Sequence, residues 1–135
     1  MVFNHVGHCV EDLERSQRFY EALGFVFDRD LKPPDDPTGK LLRIAAPVNL
    51  TAVYLRSGGF TLELLHYERA GNPPFRERAM NEPGLTHLSV TVVDLPGTLA
   101  RLTALGGQVL EDTDMGVAVM VRDPDGQLVE LIARR

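Results

Sequence analysis

The sequence has no tryptophan and a single cysteine, Cys9. One cysteine cannot build an internal disulfide framework, so an apolar core must hold the fold. An excess of basic residues is missing too. Lys and Arg together number 14 against 19 Asp and Glu, a formal net charge of −5. Nucleic acid and anionic membrane surfaces both call for a clustered basic face, so neither is expected as a partner. No apolar run approaches the length that spans a bilayer. The N-terminus also lacks a basic segment followed by an apolar one, and a cytoplasmic location is the resulting expectation. What remains is ordinary: 44% hydrophobic and 24% charged over 135 residues, which suits one domain over 1–135 with a real core.

The chain writes one pattern twice. Residues 4–13 read NHVGHCVEDL and residues 86–95 read THLSVTVVDL. Aligning His5 with His87 sets an offset of 82, and the same offset pairs Val10 with Val92, Asp12 with Asp94 and Leu13 with Leu95. Leu23 with Leu105 and Gly24 with Gly106 follow without a gap. A fixed period is the mark of a repeated supersecondary unit.

Each copy has the same physical grammar. Residues 3–10 and 86–93 are rich in β-branched and apolar side chains and are expected as strands. Asp12 and Asp94 follow where a carboxylate can cap a helix, and Pro96 suits the first turn of the second one. Leu95, Leu99, Leu102 and Leu105 recur at helical spacing, as do Leu13, Tyr20 and Leu23 beside Phe19. Gly24 and Gly106 stop the helices. Strands return with FVFDRD and GQVLEDT. Two hairpins end the copies, turning at Ser57-Gly58-Gly59 and at Asp123-Pro124-Asp125-Gly126. The expectation is an α+β chain of two tandem β-α-β-β-β modules, 1–67 and 84–135, with a polar, proline-broken linker at 68–83. Residues 31–49 have no counterpart of that length in the second copy. That insert is expected to carry a short helix capped by Thr38 and to be a mobile lid.

Four ionisable residues occupy matched places. His5 and His87 open equivalent strands, while Glu63 (in LELL) and Glu130 (in VELI) lie in the last strand of each copy. A buried strand ordinarily refuses a charge between aliphatics, so both glutamates stand out. Two repeats related by a pseudo-two-fold would bring two imidazoles and two carboxylates to one point. Such a set suits one divalent ion of nickel, zinc, cobalt, manganese or iron. His8 and His66 lack partners in the repeat and are read as structural or surface residues. Cys9 alternates onto the face of His5; it has no evident base and is read as pocket lining rather than a nucleophile.

The segments HVGHCVEDLERSQRFYEALGF, LELL, GLTHLSVTVVDL and DPDGQLVELI resemble the vicinal oxygen chelate superfamily. That superfamily includes glyoxalase I (lactoylglutathione lyase), methylmalonyl-CoA epimerase, extradiol dioxygenases, and fosfomycin- and bleomycin-resistance proteins. The resemblance implies an open, cup-shaped mixed sheet with helices outside, and metal ligands at His5, Glu63, His87 and Glu130. It also implies a homodimer and a small-molecule substrate.

The family does not share one reaction. Ring-cleaving dioxygenases resemble a two-His, one-carboxylate plan, in which Glu63 would be surplus. Four protein ligands instead favour the glyoxalase-I-like lyases and isomerases, in which a glutamate, Glu130 or Glu63, removes a proton beside a metal-chelated carbonyl. The alternatives are an extradiol-type dioxygenase and a non-catalytic antibiotic-binding resistance protein. Bacterial glyoxalases commonly carry glutathione-binding arginine and asparagine where this chain has Cys9 and Tyr67, so another thiol adduct or a hydroxy-carbonyl compound is an equal expectation. Tyr54, Tyr67, Cys9 and the insert around 41–47 are the expected pocket residues.

Overall fold

The computed structural model describes residues 1–135. The first repeat comprises β1 (Val6–Cys9), α1 (Leu13–Glu21), β2 (Val26–Leu31), α2 (Asp35–Leu42), β3 (Leu50–Ser57) and β4 (Phe60–Tyr67). The second comprises β5 (His87–Val92), α3 (Leu95–Ala104), β6 (Gln108–Leu110), β7 (Ala118–Arg122) and β8 (Leu128–Ala133). Two open four-stranded sheets result, ordered β1-β4-β3-β2 and β5-β8-β7-β6. In each, the first strand pairs parallel with the last, and the remaining pairs are antiparallel. The α+β class and the tandem β-α-β-β-β modules expected from the repeat are therefore the architecture of the chain. No helix is long and apolar enough to cross a membrane.

The helix signals act as the sequence suggests. Arg15 N–H donates to Asp12 Oδ1 at 3.0 Å, and Gly97 N–H donates to Asp94 Oδ1 at 2.9 Å. Both satisfy backbone donors that an α-helix leaves unpaired in its first turn. Gly24 and Gly106 have φ of 91° and 90°, the left-handed region where a Cβ is disfavoured. The repeat thus preserves the stop as well as the start.

Contacts divide the chain into two units. Met1–Gln17 with Gly24–Pro74 form one, and Arg18–Leu23 with Phe75–Arg135 form the other. In the first, Leu55, Leu62 and Leu64 are fully buried. In the second, Phe19, Tyr20, Leu102, Val121, Val129 and Leu131 are. Each such side chain contributes about 1.5–3 kcal/mol by leaving water. Because side chains alternate along a strand, Leu62 and Leu64 turn one way while Glu63 turns the other. Val129, Leu131 and Glu130 repeat that arrangement.

Tyr20 lies in this second core with its hydroxyl donating to Asp123 Oδ2 at 2.7 Å. Asp123 Oδ1 accepts from the N–H groups of Asp125 and Gln127, which shapes the Asp-Pro-Asp-Gly turn. Burial, then the charge of Asp123, raises the Tyr20 phenol well above its ordinary pKa, so it remains a donor. Tyr20→Phe leaves a buried carboxylate short of one hydrogen bond. The expected loss, read by denaturant unfolding, is about 1.5–3 kcal/mol, the range for hydrogen bonds to charged groups.

Local structure departs from the sequence reading in three places. Strand β1 starts at Val6, not at residue 3, so His5 sits just ahead of it. The stretch read as GQVLEDT keeps only Gln108–Leu110 as strand, and Glu111–Thr113 is a 3₁₀ turn. Thr113 Oγ1 donates to Leu110 O at 2.6 Å and accepts from Met120 N–H at 2.9 Å, which folds the segment back. In the insert, Thr38 caps nothing. Helix α2 begins at Asp35 after Pro34, and Thr38 is buried within it. The carboxylate of Asp35 instead accepts from the N–H groups of Val48 and Asn49 at 2.8–3.0 Å. Those bonds, that from Asn49 foremost, hold its carboxyl below the ordinary range. With Val48 fully buried as well, the far end of the insert is tied down rather than left as a free lid.

Candidate functional site

In the first unit, strand register builds one polar row. Gly7 on β1 and Tyr54 on β3 are the Cα partners of Glu63 on β4. His5 Nε2 lies 3.0 Å from Glu63 Oε2. Tyr54 O–H donates to Glu63 Oε1 at 2.6 Å, so both oxygens of this buried carboxylate are engaged. A Cβ at Gly7 would crowd Leu65 Cδ1 at 3.2 Å but would meet Glu63 Oε2 only at an ordinary 3.7 Å. The ring of Tyr54 also meets that of His5 edge-on, centroids 5.7 Å apart.

A bulge completes this row. The register of β2 shifts between Phe27 and Arg29, so Arg29 rather than Asp28 stands opposite Tyr54. Its guanidinium lies over the Tyr54 ring, 4.4 Å from the centroid. A cation is thereby exchanged for an anion beside the tyrosine–glutamate pair. Burial, then the hydrogen bond with Glu63, raises the Tyr54 phenol, with Arg29 opposing. Tyr67 is raised by burial first and by Cys9 and Glu63 next, which places it among the same residues. Cys9 pairs with Leu65 and shares the Glu63 face by alternation.

The second unit repeats the row with different chemistry. Ser89 on β5 and Met120 on β7 are the Cα partners of Glu130 on β8. Ser89 O–H donates to Glu130 Oε2 at 2.6 Å, and His87 Nε2 lies 3.9 Å from that oxygen. Serine stands where the first copy has Gly7, and Met120 where it has Tyr54. Glu130 is consequently held at one oxygen and is more open, its side chain 30% exposed against 12% for Glu63.

Both histidines are oriented from behind. His5 Nδ1 lies 2.5 Å from Asn4 Oδ1, and His87 Nδ1 lies 2.9 Å from Thr86 Oγ1. A partner that takes the Nδ1 proton leaves Nε2 free to donate its lone pair, the usual support for a metal-bound imidazole. Asn4 and Thr86 stand at the same offset of 82, a signal present in the sequence although the residue types differ. Two donors each about 2.1 Å from one cation and at right angles lie about 3.0 Å apart. The His5–Glu63 spacing equals that value, whereas His87 and Glu130 stand 3.9 Å apart, so the first unit holds its nitrogen and carboxylate closer together than the second. The unrepeated histidines are not part of these rows. His8 alternates away from Gly7 and Cys9, and His66 Nδ1 meets Val10 O at 3.2 Å.

Comparison with known proteins agrees with this fold. A family model described as the Glyoxalase/Bleomycin resistance protein/Dioxygenase superfamily matches residues 2–131. A lactoylglutathione lyase from Pseudomonas putida is 31% identical, the alignment covering 97% of this chain and 84% of that protein. Among solved structures, a glyoxalase family protein from Bacillus cereus superposes with a TM-score of 0.83 at 18% identity, covering 98% of this chain and 93% of that one. The trypanothione-dependent glyoxalase I of Leishmania major gives a TM-score of 0.68 at 25% identity, covering 96% and 84%. A fosfomycin resistance protein from Listeria monocytogenes gives 0.65 at 17% identity, covering 98% and 91%.

Proposed function

The chain belongs to the Glyoxalase/Bleomycin resistance protein/Dioxygenase superfamily, and from that premise we propose that it is a metal-dependent lyase or isomerase of the glyoxalase I kind. It takes a proton from the carbon beside a carbonyl of a small substrate. The observation that carries the reading is the matched pair of rows, each with an oriented imidazole and a hydroxyl-supported glutamate. His5, Glu63, His87 and Glu130 would hold one divalent cation, which would supply Lewis-acid polarisation of the carbonyl oxygen.

The side chains divide the remaining work. Glu63, fixed at both oxygens by Tyr54 and His5, would serve as a ligand throughout. Glu130 is held at one oxygen only and is more exposed, which suits the group that accepts the substrate proton and returns it. Ser89 steers that carboxylate, and Tyr54, Tyr67, Cys9 and Arg29 line the approach beside Glu63. A homodimer belongs to the same reading. Strand β2 is an edge strand exposed along its whole length, including Val26, Phe27 and Leu31, and a second copy would cover it.

The test is isotopic. Metal-loaded protein in D₂O is incubated with a panel of small α-hydroxy-carbonyl compounds, thiol adducts and acyl thioesters. Deuterium is expected at the carbon beside the carbonyl of at least one; no incorporation into any, with metal bound, removes the proposal. Tyr54→Phe keeps every proposed ligand but deletes the donor to Glu63. Metal affinity is expected to fall by about 10–100-fold, as for other outer-sphere partners, in a competition titration with a chelating dye.

A further inference from the structure

The segment after Pro74 folds over one end of the second sheet and leaves an open cleft. Arg76, Arg78 and Arg122 line it, together with Phe75, Thr86 and Leu128. Three guanidiniums at one cleft are unexpected in a chain of net charge −5. They do different things. Arg78 holds the segment together, donating to the carbonyl oxygens of Glu82, Pro83 and Leu85. Arg76 is largely exposed and pairs with Glu82 Oε2 at 3.7 Å. Arg122 is mostly buried, its side chain only 18% exposed, and stands over the Phe75 ring. The backbone is cut away to seat that ring, since a Cβ on Gly126 would come within 2.8 Å of it.

Arg122 already holds a carboxylate. Its Nη1 donates to Gly126 O at 3.2 Å, and its Nη2 donates to Glu77 Oε1 at 2.5 Å. Glu77 is 74% exposed, so an incoming carboxylate can displace it at little cost. Register ties the cleft to the row described above. Arg122 and His87 are both Cα partners of Leu128, on the face that carries Glu130. Their backbones are two strand spacings apart, about 10 Å, and Thr86 both lines the cleft and supports the His87 ring.

We propose that this cleft binds a carboxylate of the substrate through Arg122, with Glu77 as the internal carboxylate it displaces. Resting on the proposed reaction, this names the substrate class: a small oxo- or hydroxy-acid whose carboxylate and reactive carbonyl are separated by a short chain. Glu77 then selects against neutral carbonyl compounds, which cannot replace its charge.

Succinate is the probe, titrated by amide NMR into metal-free protein, with metal content measured separately on loaded samples. Glu77→Gln is expected to tighten succinate binding several-fold, because the competitor is gone. Arg122→Gln is expected to weaken it at least tenfold, with shifts at Phe75, Thr86 and Gly126 lost. Glu77 is exposed, so its variant reports even where the arginine variant folds poorly. Unchanged affinity in Glu77→Gln, or succinate shifts elsewhere on the chain, overturns the cleft. Failure of the metal reading shows differently, as absent metal in loaded wild-type protein while succinate still binds at the cleft.

Discussion

Purified His87→Ala and His5→Ala proteins are each expected to lose bound divalent metal under conditions where the unmodified chain holds about one ion. Each histidine is the one imidazole of its row, with Nε2 turned toward a glutamate and Nδ1 engaged by the preceding side chain. His8 and His66 lie off these rows. Removing an outer-sphere partner typically costs about 10–100-fold in metal affinity, so losing the ligand itself is expected to exceed that upper bound. The fold is expected to survive, because both side chains are about one-third exposed and neither fills the core. Inductively coupled plasma analysis with a circular dichroism melt separates the two effects. Full metal content in both variants, at unchanged melting temperature, would show that the ion binds elsewhere.

Glu130→Gln is expected to slow deuterium incorporation by about 10²–10⁴-fold, the range that a positioned general base contributes. The amide keeps an oxygen and nearly the same shape, so Ser89 can still donate to it, but it cannot accept the substrate proton. Glu63→Gln discriminates between the two carboxylates. Glu63 is held by Tyr54 and faces His5, so that substitution is expected to act first on metal affinity and only through it on exchange. Equal loss of exchange in both variants at full metal occupancy would mean that both glutamates carry protons. Oxygen uptake with catechols by the iron-loaded protein, without exchange on any carbonyl compound, would put a dioxygenase first.

Much of this protein was legible before any fold was known, because its signals are local and occur twice. A cap aspartate, an apolar helical stripe and a stopping glycine act within a few residues of themselves, so Asp12 and Asp94, Gly24 and Gly106 behave as their positions suggest. The four candidate ligands were legible for a related reason. A charged residue between aliphatics in a strand is conspicuous on its own, and its recurrence in a repeat marks it twice. The failures came from bonds to residues farther along the chain. Thr38 looked like a cap only because the pull of Asp35 toward Val48 and Asn49, thirteen and fourteen residues on, leaves no trace in the sequence. Glu111–Thr113 looked like strand until Thr113 bonded across to Met120.

Sequence alone therefore determined the repeat, the α+β modules and the identity of the His/Glu pairs. Tertiary structure decided how the two rows differ. Whether a glutamate is held at both oxygens or at one depends on which residue stands opposite it on the neighbouring strand, Tyr54 or Met120, Gly7 or Ser89. Strand register sets that pairing, and a single bulge in β2 was enough to put Arg29 in place of Asp28 beside Tyr54. Register is a property of chain segments far apart in sequence, and so is the meeting of Arg122 with Glu77 across 45 residues. Periodicity places a side chain on a face; only the partner strand says what it meets there.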